Sequence, residues 1–331
     1  MQILLTGATG FLGRAITGVL TARGHRVRAL VRRDTGELAV LGVDVRRGSI
    51  AAFDDVCSAA EGCDAIVHAA GCVDPLASIE DYHEANVRST DCMLGACELL
   101  GVPRLLLTSC ASVVFGNDDL EGVNETCAYP SRWPTACAHT KAIAEHRVLG
   151  ANGPTLATTV LRPHLLWGPG EPRLLPALLD LARRGRLRLF GEPDRLIDPC
   201  HLDNAAEAHA LALERLEIGA PIAGNRYFIG QGETLSIEAF FSGLLRAGGF
   251  PPEKRRLAAL SARATASSAR AHGDATPLLN PVTLDMFSRA SWFDLAAARR
   301  DLGYVPKISL AEGMTRLFAQ LTRERMQSRN P

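Results

Sequence analysis

Cys137 and Lys141 are the residues of this chain whose types and spacing point most directly to chemistry. They lie in the stretch TACAHTKAIAE at positions 135–145, whose composition predicts a helix. Residues four positions apart project from the same face of a helix, so the thiol and the amine are expected to lie side by side. A free thiol titrates near ~8.5, and a nearby ammonium group lowers that pKa. The pair therefore predicts a thiol that could serve as a base or a nucleophile.

The composition excludes several classes of protein. Nine cysteines, an odd number, occur without a CxxC pair, so we predict no metal site, and a reducing compartment rather than a disulfide framework. Lys plus Arg and Asp plus Glu balance at 36 each, which gives no indication of nucleic-acid binding. The N-terminal run lacks a basic segment and a cleavage-like site, and no apolar run reaches spanning length. We expect a cytoplasmic protein that acts on a small molecule and has no membrane partner.

A glycine loop lies at the start of the chain. The sequence TGATGFLG places Gly7, Gly10 and Gly13 three residues apart, after a strand-like run and before a helical pattern. Glycines at these positions allow a tight turn and let the backbone approach a pyrophosphate, which the N–H groups of the helix N-terminus then bind. The loop therefore predicts a dinucleotide cofactor.

The end of the second predicted strand indicates which dinucleotide binds. NAD sites usually carry an acidic residue there, which bonds the ribose 2′-hydroxyl. This chain has Arg32 and Arg33 instead. A guanidinium pairs with a 2′-phosphate, whereas a carboxylate would repel it. We therefore predict NADP rather than NAD, with Arg32 as the main contact; the alternative is that both arginines are simply solvated.

Strand-like runs alternate with helical patterns over the first two-thirds of the chain. The predicted strands are 2–6, 26–31, 43–48, 64–70, 104–109, 157–163 and 226–230, and the clearest helices are 11–24, 77–100 and 134–149. Apolar strands that alternate with helices indicate the α/β class, with a doubly wound parallel sheet covered on both faces.

The last third of the chain differs in composition. Residues 257–277 are rich in Ala, Ser and Arg, which predicts an exposed helix or loop, or alternatively a mobile lid. We predict the following division: a Rossmann domain for NADP at 1–170 and 195–230, a smaller substrate-binding domain at 171–194 and 231–323, and a frayed tail at 324–331. Substrate contacts are expected from 171–194, from 231–290 and from the loop after Phe115.

Seven motifs together resemble the extended short-chain dehydrogenase/reductase superfamily over almost the whole chain. They are TGATGFLG, DAIVHAAG at 64–71, NVRST at 86–90, LLLTSCASVVFG at 105–116, TKAIAE at 140–145, LRPHLLWGPG at 161–170 and WFDLAAARRDLGYVP at 292–306. TSCASVVFG and LIDPCHLDNAAEAH are similar to the 3β-hydroxysteroid dehydrogenase branch, which includes bacterial enzymes that reduce 2-alkyl-3-keto acids.

The resemblance implies an activity and an assembly. It implies an NADP-dependent oxidoreductase that acts on a ketone or secondary alcohol, such as a β-keto acid, a β-keto acyl or a polyketide-like substrate. It also implies a homodimer through the helices at 77–100 and 134–149.

The resemblance further implies roles for single residues. In such enzymes a tyrosine exchanges the proton of the substrate oxygen, a lysine lowers its pKa and holds the nicotinamide ribose, and a hydroxyl at the end of the fifth strand orients the carbonyl. Lys141 matches the lysine, Cys137 stands at the tyrosine, and Cys110, preceded by Ser109, stands at the hydroxyl. The implied cofactor contacts are Gly7, Thr9, Gly10, Phe11, Leu12, Gly13, Arg32, Arg33, Ser49, Ile50, Ala69, Ala70, Gly71, Asn86, Thr108, Lys141 and Pro163.

The cysteines depart from the family pattern and leave the chemistry open. A cysteine side chain ends roughly 4 Å short of a tyrosine hydroxyl, so a thiol at position 137 cannot take the phenol's place unless water or substrate fills the gap. A redox enzyme would then need another acid, for which the candidates are an ordered water, Tyr82, His83, Tyr129 and His139.

Three other interpretations remain open. A redox-neutral isomerase, cyclase or lyase would keep NADP as a scaffold and use Cys137 or Cys110 on an activated carbonyl. A catalytically inactive protein would bind NADPH and act as a regulator. Finally, Cys72 and Cys200 could join the two site cysteines in an oxidisable or soft-metal cluster.

Overall fold

The structure is a computed structural model that describes residues 1–33, 36–74, 77–189, 192–256, 283, 286–287 and 289–327. The strands are β1 Gln2–Thr6, β2 Arg26–Val31, β3 Asp44–Arg47, β4 Ala65–His68, β5 Arg104–Thr108, β6 Leu120–Val123, β7 Ala157–Pro163, β8 Leu166–Trp167, β9 Leu196–Ile197, β10 Cys200–His201, β11 Asn225–Ile229, β12 Leu235–Ser236 and β13 Ser291–Phe293. All seven strands predicted from the sequence are present.

The helices also follow the predicted pattern. They are α1 Phe11–Ala22, α2 Glu37–Val40, α3 Phe53–Ala60, α4 Ile79–Tyr82, α5 Ser89–Leu100, α6 Ala136–Gly150, α7 Leu174–Arg183, α8 Leu202–Arg215, α9 Ile237–Ala247 and α10 Leu310–Gln327. A π-helical turn, His83–Arg88, joins α4 to α5 within the helix predicted at 77–100. Residues 324–327 of the tail predicted to fray are helical, because α10 continues through Gln327, and the rest of that tail lies outside the described residues. The segment 257–277 lies outside the described residues.

The central sheet has seven strands in the order β11-β7-β5-β4-β1-β2-β3. Every neighbouring pair in it is parallel. The chain runs outward from β1 to β3 and returns to β4 on the other side of β1. This reversal opens a crevice at the carboxyl ends of β1 and β4, which is where doubly wound sheets bind their ligands.

Both faces of the sheet are covered, as the apolar strands predict. Ile3 and Leu5 of β1 pack into one apolar cluster with Ile16 of α1, whereas Leu4 packs into a second cluster with Met93 of α5. All five side chains are fully buried. Burial of each such side chain contributes about 1.5–3 kcal/mol, so the sheet holds the crevice on a rigid base.

A separate apolar cluster lies beyond the central sheet. It joins Trp167 to Leu178 of α7, Phe240 of α9 and Leu317 of α10. A four-stranded sheet in the order β12-β9-β13-β6 contributes Ile197 of β9 to this cluster. That sheet was not predicted, because strands of two to four residues carry too little pattern to recognise. The division into two domains stays a prediction. No helix in the described ranges is long and apolar enough to cross a membrane.

Candidate active site

The glycine loop joins β1 to α1 and packs tightly on itself. Gly7 has a φ of +76°, a left-handed conformation that glycine adopts without strain, and its carbonyl accepts from the amide of Gly10 at 2.8 Å. A Cβ atom on Gly7 would lie 2.7 Å from the amide nitrogen of Ala70, and one on Gly13 would lie 1.9 Å from the Gly7 carbonyl oxygen. The close approach of strand, turn and helix therefore requires glycine at both positions.

The N-terminus of α1 suits a phosphate group. Gly10 caps the helix and has no side chain to occupy the first amides. The first turn reads Phe-Leu-Gly-Arg, without an acidic residue. Unsatisfied N–H groups and the positive end of the helix dipole attract an anion there. Of the predicted contacts, Thr9 lies in the glycine loop, and Phe11 and Leu12 are the first residues of α1. The residues present therefore fit the pyrophosphate of a dinucleotide.

Four more of the predicted cofactor contacts, among them the two arginines predicted to bind the 2′-phosphate, lie at the ends of the next two strands. Arg32 and Arg33 follow β2 directly, and both side chains are exposed to solvent. Ser49 and Ile50 follow β3 and are half-buried. The Ser49 hydroxyl accepts from the amide of Ala51 at 3.2 Å. These positions leave both guanidinium groups available to a phosphate at the β2 end of the crevice.

Gly71, Asn86 and Lys141 meet just beyond the carboxyl end of β4. A Cβ atom on Gly71 would lie 2.8 Å from Asn86 Oδ1 and 2.8 Å from Lys141 Nζ. Asn86 Oδ1 accepts from the amide of Cys72 at 2.9 Å, and its Nδ2 donates to Thr140 Oγ1 at 2.9 Å. Asn86, which lies in the π-helical turn, thereby fixes α6 relative to the end of β4.

Lys141 is held between the ends of β4 and β5. Its side chain is 5% exposed, and Nζ donates to the carbonyl oxygen of Thr108 at 2.8 Å. Burial lowers the pKa of Lys141 from its ordinary value, against the opposing effect of negative charge at Cys110, Cys137 or Glu145. The ammonium group is thus oriented at the crevice, where the resemblance places the nicotinamide ribose.

Cys137 lies in the first turn of α6 and is 6% exposed. Its Sγ donates to the carbonyl oxygen of Cys72 at 3.7 Å. Burial raises the pKa of Cys137 to about 12; negative charge at Cys110 acts in the same direction, and Lys141 opposes both. The expectation that Lys141 would leave this thiol with a lowered pKa is wrong, because the cost of desolvating a thiolate outweighs the attraction of one neighbouring cation. Cys137 is therefore a neutral thiol at physiological pH.

The raised pKa predicts slow alkylation of Cys137. We expect the cofactor-free protein to react with iodoacetamide at Cys137 about a thousandfold more slowly than glutathione does near pH 8, because the thiolate fraction is that much smaller. The rate should rise about tenfold per pH unit up to about pH 10, since a thiol well below its pKa gains thiolate in that proportion. Mass spectrometry of the peptide that contains Cys137 measures the rate. A plateau below about pH 9 would instead reveal an activated thiol.

Cys110 and Ser109 follow β5 and face different neighbours. Cys110 is half-buried, and its Sγ lies 2.9 Å from the hydroxyl of Ser112. Burial raises the pKa of Cys110, which the hydrogen bond with Ser112 partly offsets. The Ser109 hydroxyl is buried and has no hydrogen-bond partner among the described residues. Ser112 was not predicted, although its place two residues beyond Cys110 was a usable signal.

Tyr82 shares its surroundings with Cys137. Its side chain is 4% exposed, and its hydroxyl donates to the carbonyl oxygen of Asp74 at 2.5 Å. Burial raises the pKa of Tyr82, and negative charge at Cys137 or Cys72 would raise it further. Tyr82 is therefore close to the site, but it is a weak acid whose proton is held by the backbone.

The other proposed acids make their contacts elsewhere. His139 is exposed and stacks on Trp133, with ring centroids 4.7 Å apart. His83 is exposed, and Tyr129 donates to Glu145 at 2.6 Å. In the described ranges no hydrogen bond joins His83, Tyr129 or His139 to Cys137. Of the candidate acids predicted from the sequence, an ordered water and Tyr82 therefore remain.

The segment 72–74, which begins four residues after the end of β4, provides three backbone acceptors to polar groups of the site. Its three carbonyl oxygens accept, in chain order, from the thiol of Cys137, the guanidinium of Arg173 and the phenol of Tyr82. Arg173 was not predicted as a site residue, because 100 residues separate it from its acceptor. Its position within 171–194 was the available signal.

A second polar group missed from the sequence lies behind Lys141 on the same face of α6. Glu145 accepts hydrogen bonds from Arg162, the shortest at 2.6 Å, and another from the hydroxyl of Tyr129. The side chains of Glu145 and Arg162 are fully buried. Glu145 lies in the motif TKAIAE and Arg162 in the motif LRPHLLWGPG, but neither motif indicates that the two side chains pair, and only the fold brings them together.

Cys200 and Pro163 complete the predicted set. Cys200 is buried in β10, and its thiol donates to the carbonyl of His201 at 3.6 Å. The expectation that Cys200 joins the site thiols is wrong, because β10 pairs with β8 and turns this thiol toward Tyr304. Pro163 ends β7, opposite Ile229 of β11.

Comparison with known proteins shows that the sequence of this chain is similar to those of reductases and dehydrogenases. Residues 4–259 match the 3-beta hydroxysteroid dehydrogenase/isomerase family. The 2-alkyl-3-oxoalkanoate reductase of Stenotrophomonas maltophilia is 40% identical over 328 residues, which cover 96% of this chain and 99% of that protein. The 4-hydroxy-2-methyl-3-oxo-4-farnesyl-3,4-dihydroquinoline-1-oxide ketoreductase of Stigmatella aurantiaca is 31% identical and covers 96% of each chain.

Solved structures agree on the fold. The UDP-glucose 4-epimerase of Thermus thermophilus, in complex with NAD, superposes with a TM-score of 0.75 over 97% of this chain and 99% of its own. At 23% identity the likeness concerns the fold alone. The Rossmann-type doubly wound parallel sheet, predicted from the sequence, is thereby confirmed.

Proposed function

Because this chain belongs to the 3-beta hydroxysteroid dehydrogenase/isomerase family, we propose that it is an NADP-dependent reductase of β-keto acids or related β-keto acyl substrates, with a proton donor other than tyrosine. The chain is an enzyme of the extended short-chain dehydrogenase/reductase type and a ketone-acting oxidoreductase with a nicotinamide cofactor. The observation that carries the proposal is the buried Lys141 ammonium, fixed on the Thr108 carbonyl beside Gly71 and Asn86.

Two features support NADP and the substrate class. Arg32 and Arg33 offer exposed cations where a 2′-phosphate would lie. Two of the relatives, from Stenotrophomonas maltophilia and Shewanella oneidensis, are named for 2-alkyl-3-oxoalkanoates. A β-keto acid places its ketone two carbons from an anionic group, which suits a site that has the Lys141 ammonium on the Thr108 carbonyl and the Arg173 guanidinium on the Val73 carbonyl.

The chain's own groups would move the proton as follows. Bound NADPH would supply the hydride to the carbonyl carbon. Lys141 would stabilise the developing alkoxide by its positive charge, in a site from which most water is excluded. The thiol of Cys137 is too short to reach that oxygen, so a water molecule in the gap of roughly 4 Å would hydrogen-bond to both and deliver the proton. The raised pKa of Cys137 disfavours the interpretation in which this thiol is a nucleophile.

The homodimer also stays a proposal. Ile79 and Leu99, on the helix predicted at 77–100, are each 65% exposed. Apolar side chains in solvent on that helix support a contact with a second copy of the chain.

NADPH oxidation by wild type and by Cys137→Tyr tests the function. The substrates are β-keto acids, β-keto thioesters and 3-keto steroids, each offered with NADPH and with NADH. We expect wild type to oxidise NADPH with β-keto acids and to prefer NADPH to NADH. Cys137→Ser is the matched control, since it keeps a short polar side chain and should retain turnover. Turnover by Cys137→Tyr alone would mean that the fold supports reduction but that wild type performs another reaction.

A further inference from the structure

Arg173 brings a positive charge close to the segment that contacts Cys137 and Tyr82. It immediately precedes α7, and its guanidinium donates to the carbonyl oxygen of Val73. The neighbouring carbonyl, that of Cys72, accepts from the Cys137 thiol. The carbonyl that accepts from Arg173 is therefore adjacent in sequence to the carbonyl that accepts from Cys137, the residue that stands at the position of the family's tyrosine.

The charge of Arg173 reaches the site groups. It acts to lower the pKa of Cys72, of Tyr82 and of Cys137, although burial is the larger effect on each and raises all three pKa values. A cation that stabilises negative charge on these three groups would also stabilise an anion placed between them.

Arg173 has no carboxylate partner in the described part of the chain. The nearest acid in sequence, Glu171, is occupied: its two oxygens accept from the amides of Arg173 and Leu175, at 3.0 and 2.7 Å. These bonds fix the turn from which the arginine projects. A guanidinium has five N–H donors, and its bond to Val73 uses one of them. The remaining donors are available to a planar anion, which arginine binds through two parallel hydrogen bonds.

We propose that Arg173 forms an anion subsite and selects substrates that carry an oxyanion close to the reacting ketone. This inference rests on the proposed ketone chemistry and adds the residue that recognises the anion. A carboxylate two carbons from the ketone would lie between Arg173 and Lys141 when the ketone is beside Cys137. A β-keto thioester of coenzyme A would bring a negatively charged phosphate group on a longer linker. The experiment must therefore distinguish binding of a carboxylate from binding of a phosphate.

Binding measurements on the NADP-saturated protein test the subsite without any need for turnover. The probes are a 3-hydroxy acid, its methyl ester and its coenzyme A thioester, each titrated by calorimetry. We expect Arg173→Gln to weaken binding of the acid about ten- to hundredfold, the range for a lost hydrogen bond to a charged group. Arg173→Lys should recover part of the loss, because it keeps the charge but not the two-point geometry. The ester should bind equally to all variants.

Arg184→Gln is the matched control. Arg184 ends the same helix, but it is exposed and pairs with Asp180 at 2.9 Å, so its loss should change no affinity. Equal effects of Arg173→Gln on acid and ester, or no effect on either anionic probe, would overturn the subsite. An effect on the thioester but not on the acid would support the subsite and assign it to phosphate. Binding as expected without turnover of any ketone would uphold the subsite and overturn the proposed reductase instead.

Discussion

Replacing Gly13 by alanine is expected to weaken NADP binding at least about a hundredfold, or about 2.8 kcal/mol. A Cβ atom at this position would lie 1.9 Å from the carbonyl oxygen of Gly7 and 2.9 Å from the Cα of Ala8. Both neighbours are backbone atoms, so neither can rotate aside. The turn must open, and the amides at the N-terminus of α1 then leave the positions from which they would bind a pyrophosphate. Titration calorimetry with NADP measures the change.

Gly18→Ala provides the control for that experiment. Gly18 lies on the same helix, and a Cβ atom there would meet nothing within 4 Å. Alanine is the better helix former by about 0.5–1 kcal/mol, so this variant should bind NADP normally and melt at the same or a slightly higher temperature. If Gly13→Ala kept a Kd within about threefold of wild type while its fold was intact, the assignment of this loop to the cofactor would lose its main support.

The sequence predicts the backbone of the crevice well, because the signals for it are local. The strand predicted at 157–163 is observed as Ala157–Pro163, and the one predicted at 2–6 as Gln2–Thr6. Both segments are short enough to be strands: Gln2–Thr6 has an apolar centre, and Ala157–Pro163 contains three β-branched residues, so each carries its signal in its own composition. The loop at Gly7 to Gly13 likewise combines strand, turn and helix within a few residues.

The chemistry of the site was harder to predict, because it depends on contacts between distant segments. Lys141 beside Cys137 suggested an acidic thiol, but the fold buries that thiol on the 72–74 segment and raises its pKa. Spacing on a helix shows which groups are neighbours, but it does not show how exposed those groups are to solvent. Arg173 illustrates the same limit, since its acceptor, Val73, is remote in the sequence. Its position within 171–194 indicated a substrate contact, but no local pattern indicated that it bonds the Val73 carbonyl.

Glu145→Gln is expected to lower the free energy of unfolding by about 3–5 kcal/mol, the usual cost of breaking a buried ion pair from one side. Glu145 and Arg162 are both fully buried and 2.6 Å apart at their closest atoms, so the variant removes the carboxylate that is hydrogen-bonded to the Arg162 cation. Glu145 also lies one turn beyond Lys141 on α6, and a shift of this helix would move the ammonium group off the Thr108 carbonyl. Urea denaturation of the cofactor-free protein measures the loss.

Two further variants separate this pair from an ordinary surface contact. Asp91→Asn breaks an ion pair with Arg147 of α6. The side chains of Arg147 and Asp91 are 41% and 47% exposed, so this variant should lower the free energy of unfolding by less than about 1 kcal/mol. The double variant Glu145→Met, Arg162→Met removes both buried charges and should be more stable than Glu145→Gln, because apolar side chains need no counter-charge. A cost of Glu145→Gln no larger than that of Asp91→Asn would mean that water reaches Arg162. The buried pair would then contribute little to anchoring the helix that carries Cys137 and Lys141.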